Sequence, residues 1–185
     1  MEAQCQPTVV CLGFFDGVHR GHQALIEAGR KAAREEGLLL CVHTFDHTPG
    51  MKDGELTSLE ERTRLLKAAG AETVAVSVFD DALRQLPGSR FFREIVLGKL
   101  HARHVICGDD HRFGYKGACG VKELEGMCRE AGVKLTVVPP VSLPGGRRIS
   151  SSAVKKALTE GDFALAESML GRPVTEEMKK TFHPL

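Results

Sequence analysis

The chain has almost no net charge: among its 185 residues, 25 Lys and Arg stand against 24 Asp and Glu. That balance excludes general electrostatic binding to nucleic acid or to an anionic membrane, and leaves room only for a local basic patch. The chain also lacks any apolar run near the roughly 20 residues of a membrane span. Met1 to Pro7 has neither a basic n-region nor a long apolar stretch, so no signal peptide is expected. None of the six cysteines, Cys5 to Cys128, belongs to a Cys-x-x-Cys pair. Cys11, Cys41 and Cys107 fall inside apolar strand-like runs, where free cysteine behaves as a small hydrophobe. Buried reduced thiols in a cytoplasmic protein are therefore expected, rather than a disulfide frame or a zinc site. Internal repeats and low-complexity tracts are absent as well, and the length fits one domain with a substantial core.

What is present is a regular alternation of apolar runs and helical stretches. Strands are expected over 8–12, 38–45, 73–78, 104–107 and 134–138. Helices are expected over 23–36, ending at Gly37; from Thr57 or Ser58 to Gly70; over 90–100, capped by Ser89; over 121–131; and over 151–160 and 162–170. The polar residues 175–185 have little periodicity and read as a tail or the start of a linker. Strands alternating with helices predict an α/β fold, a parallel sheet with helices on both faces. In such folds ligands bind beyond the carboxyl ends of the strands. Three unusual loops follow strands here, at Gly13–His22, Thr44–Pro49 and Gly108–Gly114.

The richest of them reads Gly13-Phe14-Phe15-Asp16-Gly17-Val18-His19-Arg20-Gly21-His22, between a strand and a helix. Glycines let backbone approach a ligand, and a helix start offers free N–H groups to an anion. His19 and His22 are three apart, so they project from one face if both lie in the first helical turn. Two imidazoles beside an anion-binding helix start suggest a grip on phosphate oxygens. By contrast, His101 and His104 end a helix with no glycine between them and read as surface and helix-end histidines, while His43 reads as a structural strand residue.

This segment contains the His-x-Gly-His signature of the nucleotidyltransferase superfamily. The whole of it resembles the adenylyltransferase module of prokaryotic bifunctional riboflavin kinase/FAD synthetases. Further segments follow in the family's order. Thr44-Phe45-Asp46 resembles the start of its Thr-Phe-Asp-Pro-His-Pro loop, and Leu56 to Arg62 its next helix start. Gly108-Asp109-Asp110-His111-Arg112-Phe113-Gly114 resembles Gly-Glu/Asp-Asp/Asn-Phe-x-Phe-Gly, Ile149 to Lys155 resembles Ile-Ser-Ser-Thr-Arg-Ile-Arg, and Leu170-Gly171-Arg172-Pro173 matches the module's usual end.

The resemblance implies a Rossmann-like nucleotidyltransferase fold over 1–174, with 175–185 as the tail and no riboflavin kinase domain. It implies transfer of AMP from ATP to FMN, giving FAD and pyrophosphate, with Mg2+ held through the substrate phosphates and no protein metal site. His19, His22, Ser150, Ser151 and Lys155 are then the catalytic candidates. Gly13, Phe14, Phe15, Asp16, Gly17 and Gly21 would bind ATP, and Asp46, Asp110 and Phe113 the FMN acceptor. Ser150–Ser152 could equally cap a helix, and Asp16 its turn. The expected partners are small molecules, without nucleic acid or membrane, and the pattern specifies no oligomeric state. Some positions depart from the family. His47-Thr48-Pro49 replaces its first Pro and its His, His111 stands where Phe is usual, and Ala153 and Lys155 stand where two Arg are typical. These departures keep two alternatives in view: a related transferase using another phosphorylated acceptor, and a weakly catalytic nucleotide- or flavin-binding module.

Overall fold

A computed structural model describes residues 6–47 and 54–183. Cys5 and the Thr48-Pro49 part of the second loop lie outside the described residues. Five strands, β1 (Thr8–Leu12), β2 (Leu39–Phe45), β3 (Thr73–Ser77), β4 (Ala102–Gly108) and β5 (Lys134–Val138), form one parallel sheet in the order β3-β2-β1-β4-β5. The central strands are apolar at successive positions because both of their faces are covered. Val9 and Cys11 of β1 pack with Leu40, Val42 and Ile106 under α1 (Arg20–Glu36) and α2 (Leu59–Ala68). Val10 and Leu12 point the other way, with Val105 and Cys107, toward Phe91, Phe92, Ile95 and Val96 and toward α5 (Val121–Ala131). The expected α/β architecture is thus the observed one. Among the described residues no helix is long and apolar enough to cross a membrane.

Several elements differ from the sequence expectation. Helix α1 begins at Arg20, with His19 as its N-cap, so the glycine-rich turn is shorter than expected. A one-turn α3 (Asp81–Arg84) precedes a short α4 (Gly88–Arg90). Ser89 lies inside α4 rather than capping it, and the chain continues as a π-helix over Phe91–Lys99. His104 is not a helix-end residue. It is buried within β4, where Nδ1 lies 2.8 Å from Glu36 Oε1 and Nε2 lies 2.8 Å from Thr136 Oγ1.

The last three helices, α6 (Ser151–Thr159), α7 (Phe163–Leu170) and α8 (Glu176–Phe182), build a separate apolar cluster. Val154, Leu158, Met169 and Leu170 are fully buried in it. Here residues 176–182 of the expected tail form a helix. Thr175 caps α8 by accepting the Met178 N–H, and Met178 and Phe182 are buried against the same cluster.

Candidate active site

β1 sits between β2 and β4, so the chain leaves it to opposite sides, and the loops after β1 and β4 face each other across the crevice this creates. Two adjoining cavities occupy that place. The first, of about 330 Å³, is walled by Gly13, Phe14, Phe15, His19, Gly21 and His22, by Gly108 to Arg112, and by Arg148, Ser150 and Ser151. The second, of about 280 Å³, is lined by Phe45, Phe79, Phe91 and Phe113, with His43 and Leu83. Leu12, Gly13, Phe14, His111 and Arg112 form a wall common to both.

The turn after β1 is held in an unusual conformation. Phe15 and Val18 have φ of 60° and 40°, and Gly17 has φ of 77°. A β-branched residue in the left-handed region costs on the order of 1–3 kcal/mol, so surrounding contacts must enforce it. They are present. Gln23 Nε2 donates to the Val18 carbonyl and to that of Leu170, both at 3.0 Å, and Ser151 Oγ donates to the Asp16 carbonyl at 2.9 Å. Asp16, which is 1% exposed, accepts from the amides of Leu56 and Thr57 at 2.8 and 3.2 Å. Its other oxygen lies 3.1 Å from Lys155 Nζ, which also donates to the Gly54 carbonyl at 2.6 Å. Arg62, fully buried, lies over the Phe14 ring at 4.2 Å and donates to the Phe45 carbonyl at 2.7 Å, tying the loops after β1 and β2 together.

The turn delivers two stacked imidazoles, with ring centroids 3.6 Å apart. His19 Nδ1 accepts the His22 N–H at 3.3 Å, taking up one of the helix-start donors. Because that nitrogen accepts, the proton of the neutral ring is on Nε2. Burial lowers the His19 pKa to about 4 and holds that of His22 well below its ordinary value, so both are neutral near pH 7. His22 Nδ1 is enclosed and has no hydrogen-bond partner. Gly21 leaves room between them: a Cβ there would lie a tight 3.1 Å from both Cε1 and Nδ1 of His19. On the opposite wall Ser150 caps α6 by accepting the Ala153 N–H, and it lines the cavity as well. At the rim Arg148 Nη2 lies 2.8 Å from both Asp109 Oδ1 and Asp110 Oδ2. The arrangement offers neutral donors in the interior, His19 and His22, with the fixed charges of Arg112, Arg148, Asp109 and Asp110 also in its walls, which suits an anionic ligand.

The structure therefore gathers His19, His22, Gly13, Phe14, Phe15, Gly21, Ser150, Ser151 and Asp110 around the first cavity and sets Phe113 in the wall of the second. Asp16, Gly17 and Lys155 stand behind the first cavity and brace it. Asp46 lines neither cavity; its Oδ1 accepts from the amides of Phe79 and His47, both at 2.8 Å, and so anchors the loop that carries Phe79. The sequence reading missed Phe79, Phe91 and Leu83. Phe79 alone carried a signal, standing just beyond the third strand at its carboxyl end. His43, expected as purely structural, lines the second cavity, its Nε2 held 2.9 Å from Ser77 Oγ. Among the described residues no group of three or more His, Cys, Asp or Glu is placed to hold a metal ion.

A sequence model of the FAD synthetase family matches residues 1–153. The bifunctional riboflavin kinase/FMN adenylyltransferase of Escherichia coli K12 is 33% identical over 178 residues, covering 93% of this chain and 56% of that protein. The protein of the same description from Bacillus subtilis is 33% identical, covering 90% of this chain and 54% of its own length. The chain thus spans about half the length of the relatives it matches. Among solved structures, one described as a macrolide-efflux protein from Streptococcus pneumoniae superposes with a TM-score of 0.81 at 30% identity, covering 91% of this chain and 57% of that one. A pantoate-beta-alanine ligase from Francisella tularensis, at 13% identity and a TM-score of 0.56 over 98% of this chain and 80% of that one, shares the fold.

Proposed function

The chain belongs to the FAD synthetase family, and from that premise we propose that it is an FMN adenylyltransferase. An FMN phosphate oxygen attacks the α-phosphorus of ATP, the bond from that phosphorus to the bridging oxygen breaks, and pyrophosphate leaves with the electron pair. FAD is the other product. The observation that carries this reading is the shared wall: a cavity lined with hydrogen-bond donors opens beside one lined with five phenylalanines, Phe14 of the common wall among them, which suits a phosphate and a flat ring of a single acceptor. The fold supports it through its position at the strand-order reversal.

The work asked of the residues is positioning and electrostatic stabilisation. Neutral His19 and His22 donate to phosphate oxygens where charge grows, and the strained turn fixes their distance. Ser150 holds the leaving phosphates, Ser151 lines the same wall and steadies the turn through its bond to the Asp16 carbonyl, and Arg148 meets the phosphates from the rim. Asp16 and Lys155 keep the turn against α6. Magnesium supplies charge neutralisation on the phosphates when it is bound. The donor set fits an ion carried in with the nucleotide: the rim offers only the Asp109 and Asp110 carboxylates, both engaged by Arg148. Asp110 and Phe113 contact the acceptor, and Asp46 acts by seating Phe79. The ligands are small molecules in the cytoplasm, and the reading calls for neither nucleic acid nor membrane.

The test is incubation of the purified chain with ATP, magnesium and FMN, followed by chromatography for FAD and a pyrophosphate assay. Equal amounts of both products are expected. ATP binding in a titration without FAD formation would overturn the assignment.

A further inference from the structure

Among the described residues, five side chains carry an enclosed polar atom without a hydrogen-bond partner: Asp16, His22, Arg62, His111 and Arg172. Only His22 and His111 line the two adjoining cavities. His22 faces the first of these and is absorbed by the phosphate chemistry. His111 belongs to the walls of both, and its Nε2 is the enclosed atom.

We propose that His111 recognises the hydroxylated chain of the acceptor, its Nε2 hydrogen-bonding a hydroxyl of the polyol that joins the ring in the second cavity to the phosphate in the first. The inference rests on the reading of the chain as an FMN adenylyltransferase and names a specificity determinant for that reaction. Position is the first argument. A ligand with its ring among the phenylalanines and its phosphate beside His19 and His22 must cross the common wall, and the segment that crosses is the polyol.

Chemistry is the second argument. The His111 ring stacks on Phe113 with centroids 5.6 Å apart and an interplanar angle of 18°, and its backbone N–H donates to the Gly108 carbonyl at 3.2 Å, which fixes the backbone from which the ring projects. Burial lowers its pKa to about 4, so it meets the ligand as a neutral imidazole. A hydroxyl donates and accepts, so it satisfies Nε2 in either tautomer, whereas a ring carbonyl satisfies only one. His43, the other imidazole of the second cavity, already has its Nε2 on Ser77. Phenylalanine at this position, as in the family pattern, fills similar space and offers no such bond.

The test compares FMN with a flavin phosphate whose ribityl hydroxyls are replaced by hydrogen, in the unaltered protein and in His111→Phe. Removal of the hydroxyls is expected to raise KM in the unaltered protein. His111→Phe is expected to raise KM for FMN about fivefold, the worth of one net hydrogen bond, and to shrink the penalty for the analogue by the same factor, with kcat little changed. His111→Gln, which retains a hydrogen-bonding group, is expected to keep the discrimination and so separates the contact from any loss of packing. An undiminished penalty in His111→Phe, with FAD still formed, would overturn the inference alone. No FAD from FMN in the unaltered protein would overturn both it and the adenylyltransferase reading.

Discussion

Asp16→Ala is expected to unfold much of what the turn after β1 depends on. The carboxylate is 1% exposed and accepts from two buried amides, those of Leu56 and Thr57. It also lies 3.1 Å from Lys155, whose side chain is 12% exposed. A buried donor left unsatisfied costs about 1–3 kcal/mol, and breaking a buried ion pair by removing one partner costs about 3–5 kcal/mol. These costs overlap because one carboxylate serves all the partners, so the expected loss is about 4 kcal/mol. That is a large share of the roughly 5–15 kcal/mol that holds a domain folded. Equilibrium urea unfolding measures it directly. Asp16→Asn keeps an acceptor for the amides and loses the charge, so it should fall between Asp16→Ala and the unaltered protein. The double variant Asp16→Ala/Lys155→Met also removes the ammonium that has lost its ion pair, and should be more stable than the sum of the two single losses. A loss below about 1 kcal/mol for Asp16→Ala, or strict additivity in the double variant, would refute the account of this pair as a brace.

Gly21→Ala places a Cβ 3.1 Å from the His19 ring and should displace it by a few tenths of an ångström, lowering kcat by about tenfold while thermal stability holds, since alanine favours a helix; steady-state kinetics beside a melting curve checks both. His19, His43 and His111 are each lowered from 6.5 to about 4 by burial. The unfolded chain then binds more protons than the native one between those values, so stability present above about pH 6.5 should be lost as the pH falls toward about 4. Melting temperatures that stay level across that window would contradict the burial of these rings. Phe182→Ala, in the last helix, should cost about 3 kcal/mol in urea unfolding, because its ring is buried in the cluster of α6 and α7.

The central strands were legible because a parallel sheet covered on both faces needs long apolar runs, and 8–12 and 38–45 are such runs. The His19–His22 side of the first cavity was legible because strand, glycine-rich turn and helix follow one another within a few positions. The aromatic cavity was not. Phe45, Phe79, Phe91 and Phe113 come from four separate segments, and only the strand order brings them together. Helix α8 was missed because its inward face is only Met178 and Phe182, one turn apart among charged residues. Asp16 and Lys155 were singled out for contact with phosphate, but 139 positions separate 16 from 155, and no local pattern announces that they pair with each other.

That separation has a consequence for synthesis. Residues 8–138 contain every strand of the sheet, so a chain emerging from the ribosome can complete its sheet before α6 exists. The left-handed turn that presents His19 receives Ser151, Lys155 and Leu170 only afterwards. Contacts of such high sequence separation form late, once loop-closure entropy has been overcome. The nascent protein can thus complete its scaffold before the carboxyl-terminal helices that brace the His19 turn have been made.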